Sequence, residues 1–540
     1  MPAYALALSL LVTAPLLAPG YLLLRDAVST PHSYLSDAAL GLSEAAPRAL
    51  PQDFAIALAS HVVDGGVVVK ALLIAGLWLA GWGSARLTAV VLPDAGLSGQ
   101  FVAITLAIWN PYVAERMLQG HWSLLVGYGC LPWVAVAVLR LRSGEGAWWP
   151  VMFWMALAGL TPTGLMLAAA VALTCCLTPG PGTRRWVCAA VSLGTAVLAA
   201  LPWLVASAVA GSLSSSQAAG VPAFAARAEP GLGTLFSLAG LGGIWNGQAV
   251  PASRTTLFAL VATVVLLSVV AVGLPSALRR RAAVPLLALA AVAVVLPALM
   301  ATGPGLAFVE ATVRTLPGLG VVRDAQKWVA LAMPGYALAG AAAVLTLRHR
   351  LPAAATAAVC SLALLAVLPD LAWGVGGKVA SVRYRPDWAT MAALINADPR
   401  PVAVLPPGSL RTFAWAGTAP VLDPLPRWVS ADVLATGDLV IGGRTVPGEG
   451  ERAREVQRLL TSGAGADEVA RAGVGWVVVE STSPAPLPLP VAYRSDDLTL
   501  YRVGGDHPGA AHRGVLIAAH LIWAAMLIVG AVGSTLRRSR

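Results

Sequence analysis

The chain has 540 residues, of which 57% are hydrophobic and only 11% charged, with 54 glycines and 39 prolines spread along it. Soluble proteins carry roughly 25% charged residues, and a water-soluble globule cannot hide this much apolar surface. Mean hydropathy is +0.75, so lipid is the solvent for most of the chain. The formal charge of +10 does not point to nucleic acid, because the arginines gather in short clusters between apolar runs, the pattern that orients membrane proteins.

A spanning helix needs roughly 20 mainly apolar residues. Runs near 3–24, 66–84, 98–112, 123–139, 187–210, 255–275, 283–302, 326–346, 352–373 and 513–535 are candidates. The stretch 148–178 is interrupted by Thr161-Pro162-Thr163-Gly164 and reads as two short helices. The expected total is about twelve helices. The first run has no basic residue before it and is followed by Arg25-Asp26 rather than a cleavage site, so it reads as a retained helix, not a signal peptide. With a cytoplasmic N-terminus, Arg86, Arg140/Arg142, Arg184/Arg185, Arg279–Arg281, Arg348/Arg350 and Arg537/Arg538/Arg540 all fall inside. That holds only if 148–178 crosses twice. The expectation is a multi-pass plasma-membrane protein with both termini cytoplasmic.

Three longer segments then face outward. In the first, 25–65, Pro51-Gln52-Asp53 precedes Phe54, Ile56, Leu58 and Val62, the signature of a short interfacial amphipathic helix. The second, 211–254, is rich in Ser, Gly and Ala and reads as a mobile loop. The third, 376–510, has soluble composition and reads as a small α/β domain. Its predicted strands are Val402–Leu405, Trp476–Glu480, Val491–Tyr493 and Leu498–Val503, with helical spacing over Glu451–Ala472. The predicted architecture is an all-α polytopic membrane domain (1–375), an exterior α/β domain (376–510), and a last helix with a basic cytoplasmic tail (511–540). Cys130, Cys175, Cys176, Cys188 and Cys360 all lie in or beside apolar runs, so neither a disulfide framework nor a CxxC metal site is signalled.

Ionisable residues at helix ends in a charge-poor chain are functional suspects. Three groups stand out: Arg25-Asp26 after the first run; Asn110-Pro111-Tyr112, Glu115-Arg116 and His121-Trp122 between the third and fourth; and Arg323-Asp324 with Gln326-Lys327 before the run at 326. Each has a plain structural alternative. Arg25 and Asp26 can form an interfacial ion pair, Glu115 can pair with Arg116 to shape a turn, Asp324 reads best as an N-cap, and Lys327 and Lys70 can snorkel. His32, Asp37 and Asp53 form no Asp-x-Asp or Asp-Glu pair, so no metal site is signalled. His61 and His520 read as packing residues. Trp122, Trp245, Trp388 and Trp415 are candidate sugar platforms among which sequence does not choose, and the stretch Trp415 to Trp428 reads as a loop closing the small domain.

Taken in order, Gly20-Tyr21, Arg25-Asp26, Leu40-Gly41-Leu42, Pro47-Arg48-Ala49, Asn110-Pro111-Tyr112-Val113-Ala114-Glu115-Arg116, Gly120-His121-Trp122, Gly127-Tyr128 and Arg323-Asp324-Ala325-Gln326-Lys327 resemble the actinobacterial membrane glycosyltransferases of the GT-C superfamily. The resemblance is to the transmembrane part of the α-(1→3)-arabinofuranosyltransferase family and spans about the first 350 residues. It implies a GT-C-like fold and a lipid-linked donor such as decaprenyl-phosphoryl-arabinofuranose. It further implies a cell-envelope glycan acceptor on the outer face. It places the catalytic carboxylate at Asp26. Arg116, His121, Arg323 and Lys327 are then candidates for the donor phosphate, supported by Arg25, Asn110, Tyr112, Glu115, Trp122 and Asp324. The departing phosphate needs these cations or a divalent metal cation to stabilise it, and no protein partner is specified. Members of that kind can be much longer, with large carbohydrate-binding modules, where this sequence carries the compact exterior segment. Two other classes fit a twelve-helix protein: a transporter or flippase of a lipid-linked precursor, and a non-catalytic envelope-assembly scaffold. The clustering of charges at helix ends, without a repeat between halves, favours chemistry over alternating access.

Overall fold

The computed structural model describes residues 1–44, 49–210, 218, 220–316, 319–441, 444–482, 486–507 and 509–536. Pro47-Arg48, the start of the second outer segment (211–217) and the basic tail at Arg537, Arg538 and Arg540 lie outside the described residues.

The first apolar run does not form one helix to residue 24. Helix α1 covers Pro2–Thr13, a 3-10 turn continues to Leu17, and strand β1 occupies Tyr21–Leu24, hairpinned to β2 (Ala27–Val28). Pro15, Pro19 and Gly20 end the helix, Gly20 with φ +126°. Arg25 and Asp26 are therefore the two residues of a hairpin turn, not the end of a helix. Helices α2 (Asp37–Leu40) and α3 (Gln52–Ser60) follow, the latter as anticipated, with Phe54, Ile56 and Ala57 buried.

The helical body comprises α4 (Gly65–Val91), α5 (Gly96–Ile108), α6 (Pro111–Leu118), α7 (Trp122–Ser143), α8 (Trp148–Ala158), α9 (Pro162–Cys176) and α10 (Arg185–Ala210). It continues through α11 (Thr234–Ala239), α12 (Phe258–Leu278), α13 (Val284–Met300), α14 (Gly303–Thr315), α15 (Ala332–Leu347) and α16 (Ala353–Ala366), and closes with a helix at Arg513–Leu536. The break at Thr161 is as predicted, with Thr161 Oγ1 accepting from the Gly164 N–H at 3.0 Å. The structure does not confirm the count of about twelve spans. Six helices among the described residues are long and apolar enough to cross, and two bent pairs raise the number to eight. The bends are 92° between α13 and α14 and 72° after α16, where Gly303-Pro304 and Pro369 interrupt the runs. Helix α5 has only 13 residues because Pro111 starts a new helix.

Nearly every residue of α7 and α15 is buried, whereas α12, α13 and the last helix turn large apolar side chains outward. Val264, Leu296 and Ile528 are 55%, 52% and 65% exposed, as befits helices facing lipid. Close approach sets the centre: a Cβ on Gly129 would lie 2.2 Å from the Gly76 carbonyl oxygen, so α4 and α7 pack backbone to backbone. This is a multi-pass membrane protein.

Residues 381–503 carry a five-stranded sheet whose strands lie in the order Val491–Arg494, Leu498–Arg502, Trp476–Glu480, Val402–Leu405 and Val433–Leu434. Strands β3 (Ser381–Val382), β4 (Val402–Leu405), β5 (Leu410–Arg411), β6 (Val421–Leu422), β7 (Val433–Leu434), β8 (Leu439–Ile441), β9 (Arg444–Val446), β10 (Trp476–Glu480), β11 (Val491–Arg494) and β12 (Leu498–Arg502) contain all the predicted ones. Strand β10 runs parallel to β4 and antiparallel to β12. Its alternate residues face two cores: Trp476 and Val478 meet the helix Pro386–Ala397 through Trp388, while Val477 and Val479 meet Glu451–Thr461 through Val456. The predicted helix 451–472 is two helices, because Ser462-Gly463-Ala464-Gly465 breaks it.

This sheet region grips the first loop. Strand β3 pairs with β1, the Arg25 N–H donates to Pro420 O at 2.8 Å, and Arg427 pairs with Asp53 at 3.1 Å. Lys70 does not snorkel: it is buried and donates to Ala18 O, Gly20 O and Ser381 Oγ, tying α4 to both segments. The described part of the second outer segment is also packed, against its reading as a mobile loop. Leu238, Ile244 and Val250 are buried, and Glu229 and Arg254 form a buried ion pair.

Candidate active site

The Arg25-Asp26 turn is unusual because Arg25 takes φ +49°, a region that side chains other than glycine seldom occupy. Surrounding bonds hold it there. The Arg25 guanidinium donates to Leu118 O and to Gln248 O at 2.9 Å, so it is spent there rather than in an ion pair with Asp26. Asp26 N–H donates to Gln119 O at 3.2 Å. The turn rests on Gly120, where a Cβ would come within 2.3 Å of both Leu24 O and Ala27 N.

The segment expected to be a short turn contains α6, and all its residues are buried. Asn110 is its N-cap, accepting from Val113 N–H at 3.1 Å, while its amide donates to Leu106 O, Ala107 O and Tyr128 Oη. Pro111 occupies the first turn, where a missing N–H costs nothing. Tyr112 stacks on Tyr128 with centroids 5.4 Å apart and donates its hydroxyl to Lys327 O at 3.2 Å. The Asn-Pro-Tyr motif thus joins α6 to α7 and to the 3-10 turn Ala325–Leu331.

Glu115 and Arg116 do not pair with each other but reach opposite ways. Glu115 accepts from the Gly243 and Ile244 N–H groups at 3.2 and 3.1 Å and from Gln326 Nε2 at 3.0 Å. Arg116, with no exposed side chain, forks onto both Asp324 oxygens at 2.9 and 3.1 Å and also donates to Gln326. Asp324 stands at the N-cap position of its turn but its side chain caps nothing; it is spent on Arg116. Consecutive residues of one short helix therefore pin two separate segments around the Asp26 turn.

Asp26 is the accessible carboxylate of the group, its side chain 45% exposed against 6% for Asp324. Its Oδ2 accepts from Gln119 Nε2 at 3.0 Å and lies 2.9 Å from His121 Nε2. Gln119 is in turn fixed by the Asn246 amide at 2.8 Å. Burial pushes the Asp26 carboxyl up, but the His121 and Gln119 bonds and the Lys327 charge outweigh it and leave it below the usual range. Burial carries His121 below the ordinary histidine value, although the bond to Asp26 opposes this. Asp324 is likewise pushed up by burial and then held well below the usual carboxylate range by Arg116 and Lys327.

Lys327 Nζ lies 3.8 Å from Asp324 with its side chain 24% exposed. Arg323 sits half-buried over the Phe224 ring at 4.3 Å, and Phe224 meets Trp245 at 4.7 Å. Of the candidate phosphate ligands, Lys327 and Arg323 keep partial exposure, whereas Arg116 is enclosed and His121 has partners at both ring nitrogens. Trp122 and Trp388 are buried; Trp245 and Trp415 are half-buried, the latter stacked on Phe413. His520 packs against Phe54, with ring centroids 4.5 Å apart. Among the described residues no group of three His, Cys, Asp or Glu side chains comes together. Sequence reasoning passed over Gln119 and Asn246, and quoted Gly120 only as part of the motif Gly120-His121-Trp122. Gln119 and Gly120 lie inside the Arg116–His121 stretch, a visible signal, but Asn246 sat in a segment read as loose.

No family model matches the chain, and no curated protein matches it. Solved structures do. The cryo-EM structure of the arabinofuranosyltransferase AftD from mycobacteria is similar with a TM-score of 0.58 at 18% identity, covering 94% of this chain and 40% of that one. A mutant of the same enzyme gives a TM-score of 0.56 at 18% identity, covering 94% and 42%. The chain spans about two fifths of AftD and shares that fold over nearly its whole length. The likeness does not single out the α-(1→3) family.

Proposed function

We propose that this protein is a GT-C-type membrane glycosyltransferase moving a sugar from a polyprenyl-phosphate donor to a cell-envelope glycan. The sugar we assign is arabinofuranose, with decaprenyl-phosphoryl-arabinofuranose as donor. The sheet region 376–510 stands on the outer face between a transmembrane unit (1–375) and a last helix (511–540), with both termini cytoplasmic. The observation that carries this reading is Asp26: a partly exposed carboxylate with one oxygen held by two donors and within reach of the Lys327 charge.

In this reading Asp26 is the base. The acceptor hydroxyl gives its proton to Asp26, its oxygen bonds to the anomeric carbon, and the sugar–phosphate C–O bond breaks with its electron pair leaving on phosphate. Lys327 and Arg323 meet the phosphate charge. Arg116 and Asp324 stand behind this pair and do not touch the donor.

Reconstituted protein supplied with polyprenyl-phosphoryl-arabinofuranose and short arabinan tests the assignment by mass spectrometry of the glycan. Acceptor extended by one pentose supports it. Unextended acceptor across polyprenyl-phosphate sugars, with labelled donor instead moved between leaflets, overturns it in favour of a flippase.

A further inference from the structure

A neutral imidazole carries one ring proton, and its neighbours decide which nitrogen holds it. At His121 the two nitrogens meet opposite kinds of partner. Nδ1 lies 3.1 Å from an Arg116 guanidinium nitrogen and Nε2 lies 2.9 Å from Asp26 Oδ2. A guanidinium only donates, so the Arg116 contact is a hydrogen bond only when Nδ1 bears a lone pair. The ring proton then sits on Nε2 and points at the carboxylate. Arg116 cannot turn away, because Asp324 holds it by a fork and Gln326 accepts a further bond from it.

We propose that Asp324 and Arg116 are positioning residues that lock His121 as the neutral Nε2–H tautomer, and that His121 thereby presents the second oxygen of Asp26 to the acceptor. This rests on the reading of Asp26 as the transferase base. Both side-chain bonds that Asp26 receives end on Oδ2; among the described residues none is recorded at Oδ1. The charges facing the pair agree with a neutral ring. Arg116 and Lys327 both oppose a proton on His121, whereas Asp26 favours one, as does Asp324, whose charge is shared with Arg116 and Lys327. Arg25, next to Asp26 in the chain, is turned to Leu118 and Gln248. The acceptor's proton goes to Asp26 Oδ1 while His121 keeps its own throughout. The relay orients and holds ionised the base; it does not carry the transferred proton.

A glutamine side chain offers one acceptor and one donor on a single plane, as the locked imidazole does, and leucine offers neither. The test is the pH dependence of kcat for full-length His121→Leu, His121→Gln and Arg116→Lys in the transfer assay, with detergent melting as a fold control. His121→Leu is expected to lose about 10- to 100-fold in kcat, with donor KM little changed and the acid limb moved to higher pH. His121→Gln is expected to recover most of the loss, and Arg116→Lys to move the acid limb in the same direction. Because Arg116 is buried, a direct reading stands beside the kinetics: the ¹⁵N shifts of the His121 ring, assigned by their loss in His121→Gln. A neutral Nε2–H signature at pH 7 supports the lock; an imidazolium or Nδ1–H ring overturns it. So does an unmoved acid limb in all three variants while Asp26→Asn is inactive. If Asp26→Asn is fully active, the base assignment fails and the relay falls with it.

Discussion

Gly120 is where a single methyl group tests the geometry. Its φ is +83°, which costs an alanine about 1–2 kcal/mol. The larger effect is steric, because the added Cβ would stand 2.3 Å from Leu24 O and Ala27 N, both backbone atoms of the turn holding Asp26. Restoring an ordinary separation needs a shift of roughly 1 Å. The turn cannot yield freely, since Arg25 is bonded on one side to Pro420 O and on the other to Leu118 O and Gln248 O. A displacement of about 1 Å at a reacting group costs on the order of 100-fold in rate. Gly120→Ala is therefore expected to lose about 100-fold in kcat, with a lowered melting temperature in detergent. The assay is initial-rate glycan extension together with a thermal melt of the purified protein. Wild-type rate and melting temperature together would refute the placement of the turn against Gly120.

Lys327→Met should raise the donor KM about tenfold or more, the worth of one charged hydrogen bond, while the Arg116–Asp324 fork keeps the fold; an unchanged donor KM contradicts its role. Lys70→Met leaves the Ala18 and Gly20 carbonyls without their lysine donor, and should cost about 1–3 kcal/mol of stability, read as a lowered melting temperature. In the sheet region, Asp423 and Glu480 share Arg411, and burial raises both carboxyls, Glu480 further through the Asp423 charge. A raised folded-state pKa contributes stability that is complete below the unfolded value and lost as pH rises through the folded one. Glu480→Gln should thus flatten the fall in melting temperature between mildly acidic and neutral pH, and an unaltered pH dependence would contradict the raised Glu480 carboxyl.

Composition was sufficient for the spans at α4, α7, α10 and α12, and for the four sheet strands, because long apolar runs and short stretches rich in β-branched and aromatic residues announce themselves. It failed where the backbone turns inside an apolar run. Residues 21–24 look as apolar as the helix before them, and only Pro19-Gly20 hints that they leave it. The motif residues were legible as a group because charge is scarce, but their pairing was not. Nothing local shows that Arg116 belongs to Asp324, 208 positions away, or that Asn246 reaches Gln119 across 127. Those partners are set by how α6, α7 and the 319–331 segment converge, so Asp324 looked like a cap and Arg116 like a phosphate ligand. Gln119 stood inside the legible Arg116–His121 stretch, but its role at Asp26 showed only in three dimensions.

The most direct test of the account is the initial rate of glycan extension by purified Asp26→Asn beside wild type, with polyprenyl-phosphoryl-arabinofuranose as donor. Asparagine preserves size and can still meet Gln119 and His121 but cannot take the acceptor proton. The account predicts a loss of about 100- to 10,000-fold, the contribution of a general base, with donor KM near wild type and an unaltered melting temperature. A rate within a few-fold of wild type would contradict it.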